Sequence, residues 1–134
     1  DYLVAVGRYN PKMPLPRVPL SDGAGVVAEL GPGVTRWKPG DHVAGIFMQS
    51  WLAGPYQDRY AKSALGGAID GVLAEYVLFP ESALVAPPPH WSFEQAATLP
   101  CAALTAWNAL FESGSLSAGQ SVLVQGSGGV SVFA

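Results

Sequence analysis

The sequence predicts an α+β chain in which a β-rich part, made of short antiparallel strands, precedes a single β-α step of a parallel sheet. Three observations support this fold class. Short strand-like runs separated by Pro and Gly turns fill the first part of the chain, as in antiparallel barrels and sandwiches. An Ala- and Leu-rich helical pattern follows Pro87–Pro89. The chain then closes with an apolar strand, a glycine turn and a helix start.

Composition limits the class of protein. The 134 residues are 49% hydrophobic and 13% charged, which is enough for a globular unit with its own core. The net charge is −3 and the Lys and Arg residues are scattered, so neither nucleic acid nor an anionic membrane surface is expected as a partner. No apolar run reaches the length of a transmembrane helix, and no signal-peptide pattern is present.

Cys101 is the single cysteine of the chain. A lone cysteine excludes an internal disulfide and any cysteine-rich structural zinc site. It also suits a reducing compartment, so we expect a cytoplasmic protein. The chain lacks an initiator Met, and both of its ends fall inside candidate elements. We therefore expect it to be a fragment of a longer protein.

The β-rich part begins with less regular sequence. Asp1–Gly7 fits a short strand or a helical turn, and the prolines of Asn10–Pro19 predict an extended surface connection. Residues 20–30 pass from small residues into a strand-like run. Proline and glycine at the centre of Lys38–Asp41 predict a type II turn, which leads into a second strand at His42–Ile46.

The middle of the chain has one irregular stretch and two strand patterns. Phe47–Asp70 shows little periodicity, which is typical of a functional loop or of disorder. Gly71–Phe79 alternates and predicts a strand whose even-numbered apolar side chains share one face. Leu84–Ala86 predicts another short strand.

The three prolines Pro87–Pro89 mark the best domain boundary in the sequence, because proline interrupts regular hydrogen-bonded elements. We expect one domain at residues 1–89 and the start of a second domain at residues 90–134. In the second part, Ser92 and Gln95 have the spacing of a capping box. Cys101–Glu112 then predicts a buried helix.

The closing stretch has the layout of a dinucleotide-binding loop. Val122–Gln125 predicts a buried strand, the first glycine after it permits a tight turn, and the second lets backbone N–H groups approach a pyrophosphate at a helix start. Ser131 takes the third glycine position of the G-x-G-x-x-G pattern. Glycine turns after strands are common, so the pattern alone leaves an ordinary turn open. The cofactor-binding residues predicted here are Gly126, Ser127, Gly128, Gly129 and Val130.

Five segments carry a resemblance to a known family, and together they span nearly the whole chain. They are Pro19–Val27, Val34–Val43, Gly71–Val77, Ala96–Trp107 and the closing glycine loop. In this order and spacing, the chain resembles the medium-chain dehydrogenase/reductase superfamily on its quinone-oxidoreductase-like side. The resemblance implies a GroES-like antiparallel β-barrel without its first strands, followed by the first β-α step of a Rossmann domain.

The resemblance also bears on zinc. Zinc alcohol dehydrogenases hold a catalytic metal with a cysteine, a histidine and a second cysteine. Ser21 stands at the histidine position here, Cys101 matches the second cysteine, and the first cysteine position would precede Asp1. The family's four-cysteine lobe corresponds to Phe47–Asp70, which has no cysteine. The resemblance therefore implies no metal site, and Cys101 reads as a small buried hydrophobic residue rather than as a zinc ligand.

Other residues keep two interpretations. By resemblance, Thr105 packs near the nicotinamide ring, although it also reads as an ordinary helical threonine. Ser21 and Asp22 read as turn and strand-start residues, or as neighbours of the nicotinamide. His42 and His90 match no ligand position of the family and read as ordinary histidines.

The function implied by the resemblance is that of an NAD(P)H-dependent, zinc-independent oxidoreductase. It would transfer a hydride to a small molecule such as a quinone, an enone or an activated carbonyl, with NADP favoured over NAD. No residue is identified as catalytic. The alternatives are a zinc-dependent alcohol dehydrogenase-like enzyme and a non-catalytic GroES-like binding module. The resemblance leaves open whether the parent protein forms a homodimer. We expect the fragment itself to be inactive.

Overall fold

The computed structural model describes residues 1–134, and its regular elements are short. Two π-helical turns, Leu99–Ala103 and Asn108–Ser113, flank one of the helices, and a 3₁₀ turn at Glu81–Ala83 precedes the last strand. No helix has both the length and the apolar character needed to cross a membrane. In chain order the elements are α1 (Tyr2–Ala5), β1 (Ala24–Val26), β2 (His42–Gly45), α2 (Asp58–Ala61), β3 (Leu84–Val85), α3 (Phe93–Ala97), α4 (Leu104–Trp107) and α5 (Gly129–Phe133).

The three strands form one antiparallel sheet in the order β1-β2-β3. Ala44 at its centre lies opposite Ala24 on one side and Val85 on the other. Val43 and Ala44 are buried, so the middle strand lies at the centre of a small core. The antiparallel β-rich part is confirmed as a small open sheet, and the structure does not close it into the predicted barrel.

The predicted type II turn is present between β1 and β2. Gly40 has a φ of +92°, and the Asp41 N–H donates to the Lys38 carbonyl at 3.1 Å. A positive φ at the third turn position is the conformation that glycine adopts without steric cost. Glu81 holds the preceding loop, because its Oε2 accepts from the Thr35 and Arg36 N–H groups at 3.0 and 2.9 Å.

The predicted strand at Gly71–Phe79 does not form. Its first residues bond to the segment before β1, with the Gly71 N–H donating to Val18 at 2.8 Å and the Val72 N–H to Leu20 at 3.0 Å. Leu78 is 98% exposed. A strand is stabilised by pairing with a neighbour, and no segment of this chain forms backbone hydrogen bonds with Glu75–Phe79. Alternation in the sequence was therefore not sufficient for a strand here.

The irregular stretch Phe47–Asp70 is ordered by contacts within itself. The rings of Trp51 and Tyr60 stack with centroids 5.8 Å apart. The Ser63 carbonyl and hydroxyl accept from the N–H groups of Gln49 and Ser50, each at 3.1 Å.

The helical part begins as predicted. The Ser92 hydroxyl accepts from the Gln95 N–H at 3.3 Å, and the Gln95 side chain accepts from the Ser92 N–H at 3.0 Å. The capping box is therefore confirmed. The predicted helix at Cys101–Glu112 is partly wrong in type, because only α4 within it is α-helical and both flanks are π-helical. Pro100 lacks the N–H of a regular helical turn, and it lies within the first π-helical stretch.

The predicted strand at Val122–Gln125 is also absent. Leu123 is 87% exposed, and no other segment of the chain pairs with this one. A parallel strand needs neighbours on the same sheet. The Rossmann β-α step is therefore not formed in this structure, although the helix that should follow is present as α5. The division at residue 89 stays a prediction.

Candidate functional site

Ser21 and Asp22 form a bonded pair at the entrance to β1. The Ser21 hydroxyl donates to Asp22 Oδ2 at 2.6 Å, and both residues are half-buried. The other carboxylate oxygen, Oδ1, is buried without a hydrogen-bond partner. Buried polar atoms normally find partners, so this oxygen is an acceptor that the chain leaves free.

The turn that presents this pair is unusual. Leu20 has a φ of +75°, which is uncommon for a residue with a branched side chain. Gly66 faces its backbone so closely that an added Cβ would lie 2.9 Å from both the carbonyl carbon and the oxygen of Leu20. The Val72 N–H donates to the same carbonyl at 3.0 Å. Neighbouring backbone therefore holds the strained turn that sets the direction of Ser21.

Cys101 lies beside the pair. Burial raises the pKa of the Asp22 carboxyl, against the opposing effects of the Ser21 hydrogen bond, the Cys101 backbone and the chain's amino terminus. Burial also raises the pKa of the Cys101 thiol, and the negative charge of Asp22 raises it further. The nearby Thr105 side chain acts in the opposite direction. The chain thus brings together the cluster Ser21, Asp22, Cys101 and Thr105.

The sequence patterns gave Ser21, Asp22 and Cys101 separate interpretations. Ser21 and Asp22 read as turn residues or nicotinamide neighbours, and Cys101 as a buried hydrophobic residue. The structure places the pair and Cys101 in one cluster, with Cys101 half-buried. A small polar residue and a carboxylate in direct succession, before a strand of small residues, was the signal available in the sequence.

The glycine loop has the local geometry expected of a phosphate-approaching turn. Gly126 has a φ of +84°, and an added Cβ at Gly126 or Gly128 would meet nothing within 4 Å. The first N–H groups of a helix have no partner within that helix, so those at the start of α5 are donors for an anion. The Ser131 hydroxyl, at the third glycine position, donates to the Gln125 carbonyl at 2.9 Å.

The loop and the cluster lie on elements that touch. α5 packs against α4, which carries Thr105, and against the first π-helical turn, which carries Cys101. An added Cβ at Gly129 would lie 3.4 Å from the Ala102 side chain. The open backbone at Gly126 and Gly128 therefore leaves room for a pyrophosphate, and Thr105 lies on a helix that α5 contacts. The loop itself is exposed.

The chain's own residues do not fit a catalytic zinc. No three His, Cys, Asp or Glu side chains gather closely enough to hold a metal ion. His42 packs its ring against Phe93, with centroids 4.8 Å apart, and His90 lies against Trp91. Zinc in catalytic sites takes three protein ligands, and the cluster offers one thiol and one carboxylate.

An apolar groove lies apart from this cluster. It runs between β1 with its continuation to Leu30 and the segment Ala74–Phe79, and its walls are mainly apolar. Its carboxylates, Glu29, Glu75 and Glu81, include one that is already bonded to backbone N–H groups. No Ser, Thr, Cys, Lys or His side chain lines it, so the groove carries no catalytic interpretation.

The chain thus combines a small antiparallel sheet with a polar cluster at the start of its first strand, next to a helical segment. The family model of the alcohol dehydrogenase GroES-like domain matches residues 1–89. The chain belongs to this family, within the medium-chain dehydrogenase/reductase superfamily.

Known proteins of this superfamily resemble the chain along its whole length. It is 46% identical over 136 residues to a zinc-type alcohol dehydrogenase-like protein of Schizosaccharomyces pombe, covering 100% of this chain and 39% of that protein. It is 41% identical over 118 residues to the chloroplastic NADPH-dependent alkenal/one oxidoreductase of Arabidopsis thaliana, covering 87% of this chain and 27% of that protein. The crystal structure of a provisionally assigned alcohol dehydrogenase from Sinorhizobium meliloti superposes with a TM-score of 0.87 at 47% identity, covering 99% of this chain and 41% of that one. The chain thus spans about two fifths or less of these relatives.

Proposed function

We propose that the protein carrying this sequence is an NAD(P)H-dependent oxidoreductase that reduces an enone, a quinone or another activated carbonyl without zinc. The cluster of Ser21, Asp22 and Cys101 is the observation that carries the proposal. It lies at the edge of the helical segment against which the glycine loop packs. It offers hydroxyl, carboxylate and thiol groups in place of a metal-ligand set.

Each part of the site has a defined task in this proposal. Gly126–Val130 would hold the pyrophosphate through backbone N–H groups, and Thr105 would lie against the nicotinamide. When bound, the dinucleotide supplies a hydride to the substrate carbon. The half-buried cluster would hold the substrate oxygen and keep water from it. The preference for NADP is supported by the name of the Arabidopsis thaliana relative. A homodimer remains part of the proposal.

The test is a substrate and metal survey of the full-length protein that contains this sequence. The protein is purified without chelator, and its zinc content is measured before NADPH and NADH oxidation is followed with an enone, a quinone and a simple ketone. We expect NADPH to be oxidised with the enone or the quinone as acceptor. The zinc content should be below about a tenth of an ion per chain, the level of a trace contaminant. Absence of turnover with every acceptor class would refute the proposal.

A zinc-dependent alcohol dehydrogenase-like enzyme is the second candidate. It is favoured by the adjacency of the Cys101 thiol and the Asp22 carboxylate, two groups able to ligate a metal. The name of the Schizosaccharomyces pombe relative points the same way. About one zinc per chain, lost together with alcohol oxidation on chelation, would select this candidate over the first.

A further inference from the structure

Resting on the proposed function, we propose that Ser21 exchanges a proton directly with the substrate oxygen, and that Asp22 is a positioning residue that takes or returns this proton through Ser21. The two residues would form a two-step relay at the entrance to β1. Ser21 is the catalytic residue of this proposal, and Asp22 acts only through it.

The relay follows from the direction of the Ser21 hydrogen bond. The hydroxyl donates its one hydrogen to Asp22 Oδ2 at 2.6 Å, in the range of charge-assisted O–H···O⁻ bonds. A serine oxygen that donates one bond keeps two acceptor lone pairs. These lone pairs can receive the hydrogen of a substrate hydroxyl, so a proton leaving the substrate has a continuous path to the carboxylate.

Asp22 is also poised to hold a proton. Its Oδ1 is buried without a partner, so the carboxylate has an unused acceptor. Burial raises its pKa, which lowers the free-energy cost of protonating the carboxylate. The titratable group facing it is the Cys101 thiol from the helical segment, which offers Oδ1 no hydrogen bond in this structure.

The position of the pair is fixed by backbone contacts, as a catalytic group requires. Leu20 holds its φ of +75° because Gly66 and Gly71 pack directly on its peptide. Residues held in sparsely populated conformations cost about 1–3 kcal/mol and persist where the surroundings enforce them. Thr105, next to the expected nicotinamide position, shares a contact with Cys101. The pair therefore lies near the helix that would face the nicotinamide in the proposed function.

The proposed step balances in both directions. In reduction of a carbonyl, the substrate carbon would gain the hydride that a bound cofactor supplies, and the C=O π bond would break. In an enone the hydride would add at the β carbon, the C=C π bond would break, and the negative charge would reach the same oxygen as an enolate. The oxygen then takes the Ser21 proton and forms an O–H bond, Ser21 takes a proton from Asp22, and Asp22 is reprotonated from water. In oxidation, the same bonds form and break in reverse order.

The first arm of the test is kinetic and uses the full-length protein. Ser21→Ala is expected to lower kcat by about 10²-fold or more, the usual contribution of a positioned proton donor, while the Kd for NADPH changes less than about twofold. Ser21→Thr keeps a hydroxyl and should retain most of kcat. Asp22→Asn should remove the ionisation of Asp22 from the pH profile of kcat, and Asp22→Glu should partly restore it. Ser113→Ala, an exposed serine bonded only to Asn108, is the matched control.

The second arm reads protonation without any turnover. The carboxyl C=O infrared band that disappears in Asp22→Asn is titrated in the 134-residue chain. We expect its midpoint above the ordinary range for aspartate. In Ser21→Ala the midpoint should rise further, because the lost hydrogen bond favours the charged form. If Ser21→Ala does not fold, Ser21→Cys takes its place with the same expected direction.

The outcomes separate the relay from the proposed function. A wild-type protein without NAD(P)H-linked activity refutes the proposed function, and with it the kinetic role of Ser21. An active wild type whose Ser21→Ala variant keeps full kcat overturns the relay alone. An Asp22 midpoint unmoved by the loss of the Ser21 hydroxyl overturns it as well, because the two residues would then not be bonded in solution.

Discussion

A Cβ added at Gly71 would overlap the carbonyl oxygen of Leu20. This contact between two backbones lies at the base of the candidate site, because Leu20 immediately precedes Ser21 and Asp22. The Gly71 N–H also donates to the Val18 carbonyl at 2.8 Å. Two segments more than fifty residues apart are therefore pressed together where only glycine fits, and the strained turn depends on that contact.

Gly71→Ala is expected to lower the free energy of unfolding by about 3 kcal/mol or to prevent folding, because backbone cannot yield as a side chain can. Urea unfolding followed by circular dichroism measures this. Gly31→Ala is the matched control, since a Cβ there meets nothing within 4 Å. Equal stability of the two variants would show that the packing of Gly71 on Leu20 does not hold in solution.

Cys101 should react slowly with iodoacetamide at neutral pH, because burial and the Asp22 charge raise its pKa and only the thiolate attacks. Asp22→Asn removes the negative charge and should accelerate alkylation several-fold at an unchanged reagent concentration. Asp58→Asn, on the exposed part of α2, should leave the rate as it is. A rate in Asp22→Asn equal to that of wild type would contradict the proximity of the two side chains.

The stability of the chain should fall as pH rises through the titration of Asp22. The pKa of this carboxyl in the folded chain is raised from its reference value of 3.8. The folded state then holds the proton more tightly than the unfolded state, so the contribution is complete below the unfolded pKa and is lost as pH passes through the folded one. Asp22→Asn should flatten this fall, as measured by urea midpoints across acidic and neutral pH. A decline just as steep in Asp22→Asn as in wild type would disprove the assignment.

Glu81 should contribute with the opposite sign. Hydrogen bonds from the Arg36 and Thr35 N–H groups lower its pKa. Its contribution is present above the unfolded value and is lost as pH falls through the folded one. Glu81→Ala should therefore destabilise the chain at neutral pH and narrow the gap to wild type in acid. Glu75 is exposed, so Glu75→Ala serves as the control. A difference in stability between Glu81→Ala and wild type that stays constant across pH would contradict the hydrogen bonds to Glu81.

The 134-residue chain by itself should bind NADPH poorly. Gly126–Val130 are exposed, and the segment before them pairs with no strand, so little fixes the loop around a ligand. Titration with NADPH, followed through the fluorescence of the four Trp residues, should give no saturation at micromolar concentrations. Saturable micromolar binding would show that the loop is already organised within this chain.

Local sequence signals determined the elements whose stabilising partners lie close by in the chain. The Ser92–Gln95 capping box and the Pro39–Gly40 turn formed as predicted, because each is completed within four residues. The strand at His42–Gly45 formed too, with antiparallel partners on both sides. The family was also readable, since its motifs recur in order along the chain.

The tertiary structure decided whatever depends on residues distant in sequence. The patterns at Gly71–Phe79 and Val122–Gln125 predicted strands, yet pairing partners decide whether a strand exists. Val122–Gln125 pairs with no segment, and Gly71–Phe79 bonds to the segment before β1 only through its first residues. The same holds for the candidate site. Only folding brings Cys101 beside Asp22, since the two residues are nearly eighty positions apart in the sequence. The same packing buries a carboxylate oxygen of Asp22 without a hydrogen-bond partner.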